Sequence, residues 1–98
     1  MTFFERFEAD ILSGKKTLTI RDKAEKDYLS GSIVQVSTYE NGRWFCEIKI
    51  KVVKPILLSD LSESHAQQEN MTLLELKTVI QEIYPNIEDL YVVYYELT

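Results

Sequence analysis

Along TLTIR, Leu18 and Ile20 alternate with Thr17, Thr19 and Arg21. The same two-residue rhythm returns in RWFCEIKIKVVK, where Trp44, Cys46, Ile48, Ile50 and Val52 fall on one face. Strict alternation of this kind marks strands with one face buried. IVQVSTY at 33–39 is β-rich, and Asn41-Gly42 between it and the next run predicts a hairpin, because both residues tolerate positive φ. Pro55 is expected to close the second of these strands, with ILLSDL as a further short strand. LYVVYYEL is apolar enough to be a central strand. Spacing of three and four dominates elsewhere. Phe3, Phe4, Phe7, Ile11 and Leu12 predict a helix over 2–14, with Thr2 and Glu5 as its capping box and Gly14 as its stop. Leu73, Leu76, Val79, Ile80 and Ile83 predict another, capped by Thr72 and Glu75 and ended before Pro85. DKAEKDYLSG reads as a loop with a short helical turn, and Ser62 or Ser64 is placed to cap a short helix over SESHAQQEN.

The order helix, strand, hairpin, helices, strand gives an α+β fold, with a twisted sheet able to curl toward a small barrel. The strands TLTIR and LYVVYYEL are the pair expected to meet. With 98 residues, 45% apolar and 28% charged, the chain is sized for one domain with one core. A single cysteine leaves no internal disulfide and no cysteine metal cluster. No apolar run approaches a membrane span and Met1 begins no signal-peptide pattern, so a cytoplasmic location is expected. Net charge is −5, which opposes tight binding to a long polyanion. Lys15, Lys16, Arg21 and Lys23 still form a local cationic cluster, better suited to a small ligand.

That cluster surrounds a threonine. A hydroxyl becomes a nucleophile when a neighbour removes its proton, and Lys16 can do this for Thr19 only as a neutral amine. Its reference pKa of about 10.4 must then be pulled down by burial or by cations such as Lys15 and Arg21. In a regular strand Lys16 and Thr19 would face opposite sides. The pairing therefore requires Lys16 to lie in the turn after Gly14. The plainer reading is a solvated strand face with lysines beside a turn. Glu69, in HAQQENMT, lies just before the helix at Thr72, where a carboxylate favours its charged form. To donate a proton it must instead be turned into a closed pocket. His65 reads as a surface residue, Cys46 as core, and the tyrosines as packing. No phosphate loop, dinucleotide fingerprint or zinc motif is present.

The stretches FFERFEADILSGKKTLTIRD, NGRWFCEI, HAQQENMTLLELK and IYPNIEDLYVVYYEL together resemble the small bacterial ASCH-domain proteins, and among them the N(4)-acetylcytidine amidohydrolases. The likeness spans nearly the whole chain in order, and is weaker over DKAEKDYLSGSIVQVSTYE. It implies a single ASCH domain over 1–98, a small PUA-like β-barrel with flanking helices. It also implies hydrolysis of the acetyl amide on the cytosine exocyclic nitrogen, with no cofactor and no metal. The family's proton acceptor falls on Lys16, its nucleophile on Thr19 and its proton donor on Glu69. Arg21 is a candidate for substrate binding. The expected partner is a small nucleoside rather than a membrane or a long nucleic acid, with the chain a monomer or weak homo-oligomer. Two other readings compete: a non-catalytic RNA-binding module of PUA type, and an interaction domain pairing through LYVVYYEL.

Overall fold

A computed structural model describes all 98 residues. Five strands, β1 (Thr2–Phe3), β2 (Leu18–Arg21), β3 (Ile33–Thr38), β4 (Trp44–Leu57) and β5 (Asp89–Leu97), form one sheet in the order β1-β3-β4-β5-β2. Three helices, α1 (Glu8–Leu12), α2 (Glu63–Gln68) and α3 (Leu73–Ile83), complete the fold. β5 is central, flanked by β4 and β2, and its alternate residues are buried on both faces, as its apolar run predicts. The expected pairing of TLTIR with LYVVYYEL is present as an antiparallel ladder, Leu18 opposite Tyr94 through Arg21 opposite Tyr91.

The sheet curls into a half-barrel. Inside the curl, Phe3, Val36, Ile48, Ile50, Val93 and Tyr95 pack together. On the other face, Leu18, Ile20, Leu90 and Val92 meet Leu76 and Ile80 of α3. Burying Leu76 and Ile80 stabilises this layer by about 2 kcal/mol each. Their spacing is the amphipathic stripe foreseen for this helix, and Thr72 and Glu75 do form its capping box. β1 and β2 are the unpaired ends of the sheet. They approach through a side chain, since Arg21 Nη2 donates to the Thr2 carbonyl at 2.7 Å.

Four expectations need correction. The N-terminal helix covers only Glu8–Leu12, after a 3-10 turn at Glu5–Phe7. Thr2 and Phe3 are a strand, parallel to Ser37 and Thr38 of β3, and the Glu5 N–H goes to the Glu40 carboxylate rather than to a Thr2 cap. β4 does not stop at Pro55 but runs on to Leu57, so Ile56 and Leu57 are no separate strand. Beyond residue 50 only β5 pairs with β4, so the missing proline N–H faces an open edge. Trp44 and Val52 are exposed because β4 carries an extra residue at Phe45 against β3 and at Lys51 against β5. Each bulge reverses the inward–outward alternation. The hairpin turn is longer than two residues, with Thr38 and Arg43 joined by an N–H to carbonyl bond of 2.9 Å and only Gly42 at positive φ.

Candidate active site

Gly14, with φ of 77°, ends the α1 turn and sends the chain toward β2. The Lys15 and Lys16 N–H groups both donate to the Asp10 carbonyl, at 2.9 and 3.0 Å. Lys16 therefore precedes the regular strand, which begins at Leu18, and strand alternation does not constrain it. Its side chain turns inward and is 2% exposed. Nζ lies 2.6 Å from Glu69 Oε2 and donates to the Leu18 carbonyl at 3.0 Å. The rings of Phe3 and Phe7 sit 5.7 and 5.1 Å from the ammonium. Burial pulls the Lys16 pKa below the usual lysine value; Glu69 opposes this, and Arg21 adds a smaller push downward. Desolvation, rather than the neighbouring cations, is thus the larger cause, and Lys15 is exposed.

Glu69 does not stand at the start of α3. It closes α2, its N–H donating to the His65 and Ala66 carbonyls at 3.1 Å, and Asn70 follows in the left-handed conformation that ends helices. That bend turns the Glu69 side chain inward to 6% exposure. Oε2 pairs with Lys16, while Oε1 is buried without a hydrogen-bond partner. A buried carboxylate oxygen without a protein partner is costly and uncommon in a stable fold.

Thr19 and Arg21 share one face of β2, as alternation requires. Arg21 Nε donates to Thr19 Oγ1 at 3.1 Å, which leaves the hydroxyl proton free to go elsewhere. The same guanidinium pairs with Glu25 at 3.1 Å and lies 4.7 Å over the Phe3 ring. Lys16, Thr19, Arg21 and Glu69 all line one cavity of about 610 Å³, a size usual for small organic ligands. Lys16 and Thr19 are not hydrogen-bonded to each other, as is common before substrate binds. Phe4, Phe7 and Tyr39 add an aromatic wall, with Phe4 and Tyr39 in edge contact at 5.3 Å and Arg6 stacked on Phe4 and Phe7.

Several supporting residues gave no signal in the chain. Thr17 N–H donates to the Gln68 carbonyl at 2.7 Å, and the Thr17 hydroxyl to Gln68 Oε1 at 3.3 Å. Buried Tyr95 donates its hydroxyl to the Lys16 carbonyl at 2.9 Å. His65 is outside the cavity, its Nδ1 accepting the Ser62 N–H at 3.1 Å to cap α2. Cys46 is in the core beneath the curl. No group of three or more His, Cys, Asp or Glu is arranged to hold a metal ion.

A family model described as ASCH domain matches residues 1–89. A protein of Vibrio atlanticus named N(4)-acetylcytidine amidohydrolase is 69% identical over 97 residues, covering 99% of this chain and 93% of its own. A Shewanella oneidensis protein of the same name is 57% identical, again covering 99% and 93%. Among solved structures, an ASCH domain from Lactobacillus crispatus superposes with a TM-score of 0.75 at 19% identity, covering 92% of this chain and 69% of that one.

Proposed function

The chain belongs to the ASCH domain family, and we propose that it is an amidohydrolase that cleaves N(4)-acetylcytidine to cytidine and acetate. The observation that carries the residue assignments is the buried contact of Lys16 with Glu69 in the cavity that also holds Thr19. Passing the shared proton from Nζ to the carboxylate leaves a neutral amine and a carboxylic acid, which are the forms a general base and a general acid need. Both catalytic states thus arise from one proton shift, without taking a proton from solvent.

In the first half-reaction, the Lys16 amine accepts the Thr19 hydroxyl proton as Oγ1 attacks the acetyl carbonyl carbon. The carbonyl π electrons move to oxygen and give a tetrahedral anion. Collapse re-forms the carbonyl and breaks the C–N bond, while Glu69 protonates the departing N4. Cytidine leaves with its amino group restored. In the second half, Lys16 returns a proton to Glu69 and is again neutral. Water attacks the acetyl ester as its proton passes to Lys16. Lys16 then protonates the departing Thr19 oxygen as the C–O bond breaks, and acetic acid leaves and loses its proton to solvent, which restores the starting state. Arg21 holds Oγ1 and stabilises negative charge on it, the kind of contact worth about 3 kcal/mol in a transition state. Phe4, Phe7 and Tyr39 give the pyrimidine an aromatic wall to pack against, and the protein works as one domain over 1–98.

The test is release of cytidine from N(4)-acetylcytidine by purified protein with chelator present, followed by chromatography. Turnover is expected, and Thr19→Ala should lower kcat by at least about 1,000-fold, the loss typical of removing a nucleophile. No turnover by the intact protein would overturn the activity, and near-normal turnover by Thr19→Ala would overturn the nucleophile.

A further inference from the structure

Three links run side by side between the segment before β2 and the connection from α2 to α3. Thr17 binds Gln68 through backbone and side chain, Lys16 pairs with Glu69, and Asp10 accepts a hydrogen bond of 3.1 Å at Oδ1 from Asn70 Nδ2. Asp10 has two roles in the last link. Its carbonyl holds the Lys15 and Lys16 amides, and its carboxylate holds the residue that follows Glu69.

Asp10 lies in the first turn of the five-residue α1, and its carboxylate reaches across to the segment that follows α2. At φ of 56°, the position of Asn70 would be served with less strain by glycine. Asn70 stands there nonetheless, and its amide is the group that reaches Asp10. We propose that Asp10 and Asn70 are positioning residues, a clamp that keeps the Lys16 amine and the Glu69 carboxylate within proton-exchange distance during turnover. Neither side chain lines the cavity, so the clamp acts on the reacting groups and not on substrate. Glu69 stands on a bend and Lys16 on a flexible stem. Without the Asp10–Asn70 contact only the Thr17–Gln68 link holds the two segments in register beside the Lys16–Glu69 pair itself, and a displacement of about 1 Å is enough to slow proton transfer.

The inference rests on the amidohydrolase reading, and the experiment separates them, because intact protein tests the activity and the variants test the clamp. Asp10→Ala, Asn70→Gly and the double variant are assayed on N(4)-acetylcytidine. Asn70→Gly keeps the left-handed backbone and removes only the amide. Each single change should lower kcat by about 10-fold, a modest displacement penalty. KM and inhibition by cytidine should stay within about twofold, since uniform binding is untouched. The double variant should lose about the same 10-fold, not the roughly 100-fold of independent sites. Asp10→Asn keeps an acceptor oxygen and should hold kcat within about twofold, which separates contact from charge. Singles with normal kcat, a double variant losing the product of the singles, or Asp10→Asn as slow as Asp10→Ala would each overturn the clamp. Should Asp10→Ala fail to fold, Asn70→Gly and Asp10→Asn decide the matter alone. If the intact protein is inactive, the clamp falls with the activity.

Discussion

Replacing Glu69 by Gln keeps the shape of the side chain and removes its charge, leaving Lys16 buried beside a neutral amide. At 2% exposure the ammonium has no water to turn to, and its other hydrogen-bond acceptor, the Leu18 carbonyl, is neutral. Breaking a buried pair in this way typically costs about 3–5 kcal/mol. For a domain of this size, about 3 kcal/mol corresponds to a fall of roughly 12–24 °C in Tm. The loss should also depend on pH. In the unfolded chain Lys16 holds its proton up to about pH 10.4. In the folded protein burial already lowers that value, and without Glu69, the main influence opposing burial, it falls further. Between the lowered folded value and about pH 10.4 the unfolded state binds more protons than the folded one, so stability must rise with pH across that window. Urea unfolding of the intact protein and Glu69→Gln between pH 6 and 9 measures this, and the variant's deficit should shrink toward high pH. Adding Lys16→Met should recover part of the loss, because a neutral pair no longer strands a charge. A deficit under about 1 kcal/mol that is flat with pH, as for an exposed pair, would refute the reasoning.

Two further outcomes follow from geometry already described. Arg21→Lys keeps a cation but loses the fork that reaches Thr19, Glu25 and Thr2 together, so kcat should fall at least about 10-fold in the turnover assay and unchanged kinetics would show the fork idle. Cys46 is buried, and burial pushes its thiol above the usual range, so a disulfide reagent should label it only as fast as the protein unfolds; rapid stoichiometric labelling of folded protein would contradict its place in the core.

Local pattern in the chain carried much of the architecture. α3 and the interior strand β5 were legible because each announces itself within its own residues, whereas the β2–β5 pairing was only an expectation drawn from two short apolar strands. Phe3 was not. Its stripe with Phe7 and Ile11 has real helical spacing, but parallel pairing with Thr38, a partner 35 positions away, outweighs it. Trap and signal also look alike at Thr2–Glu5, where a capping-box pattern exists and Glu40 takes the amide instead. Trp44 and Val52 were misplaced because a bulge is set by the partner strand and leaves no mark in alternation. At the site, Lys16, Thr19, Glu69 and Arg21 were nameable through their resemblance to a family, whereas spacing alone left them ordinary. Asp10, Gln68 and Asn70 stayed hidden, since an acid on one short helix and polar residues at the end of another are what any surface shows.

Between β1 and β2 the fold substitutes a guanidinium and aromatic faces for a peptide ladder. Ladders yield collectively, because losing one rung loosens its neighbours, and such openings belong to the slow repertoire of a protein. The Arg21 latch on Thr2 gives way by torsions of a single side chain. That margin of the sheet can therefore part without unzipping any of its strands, so its opening is uncoupled from the cohesion of the fold.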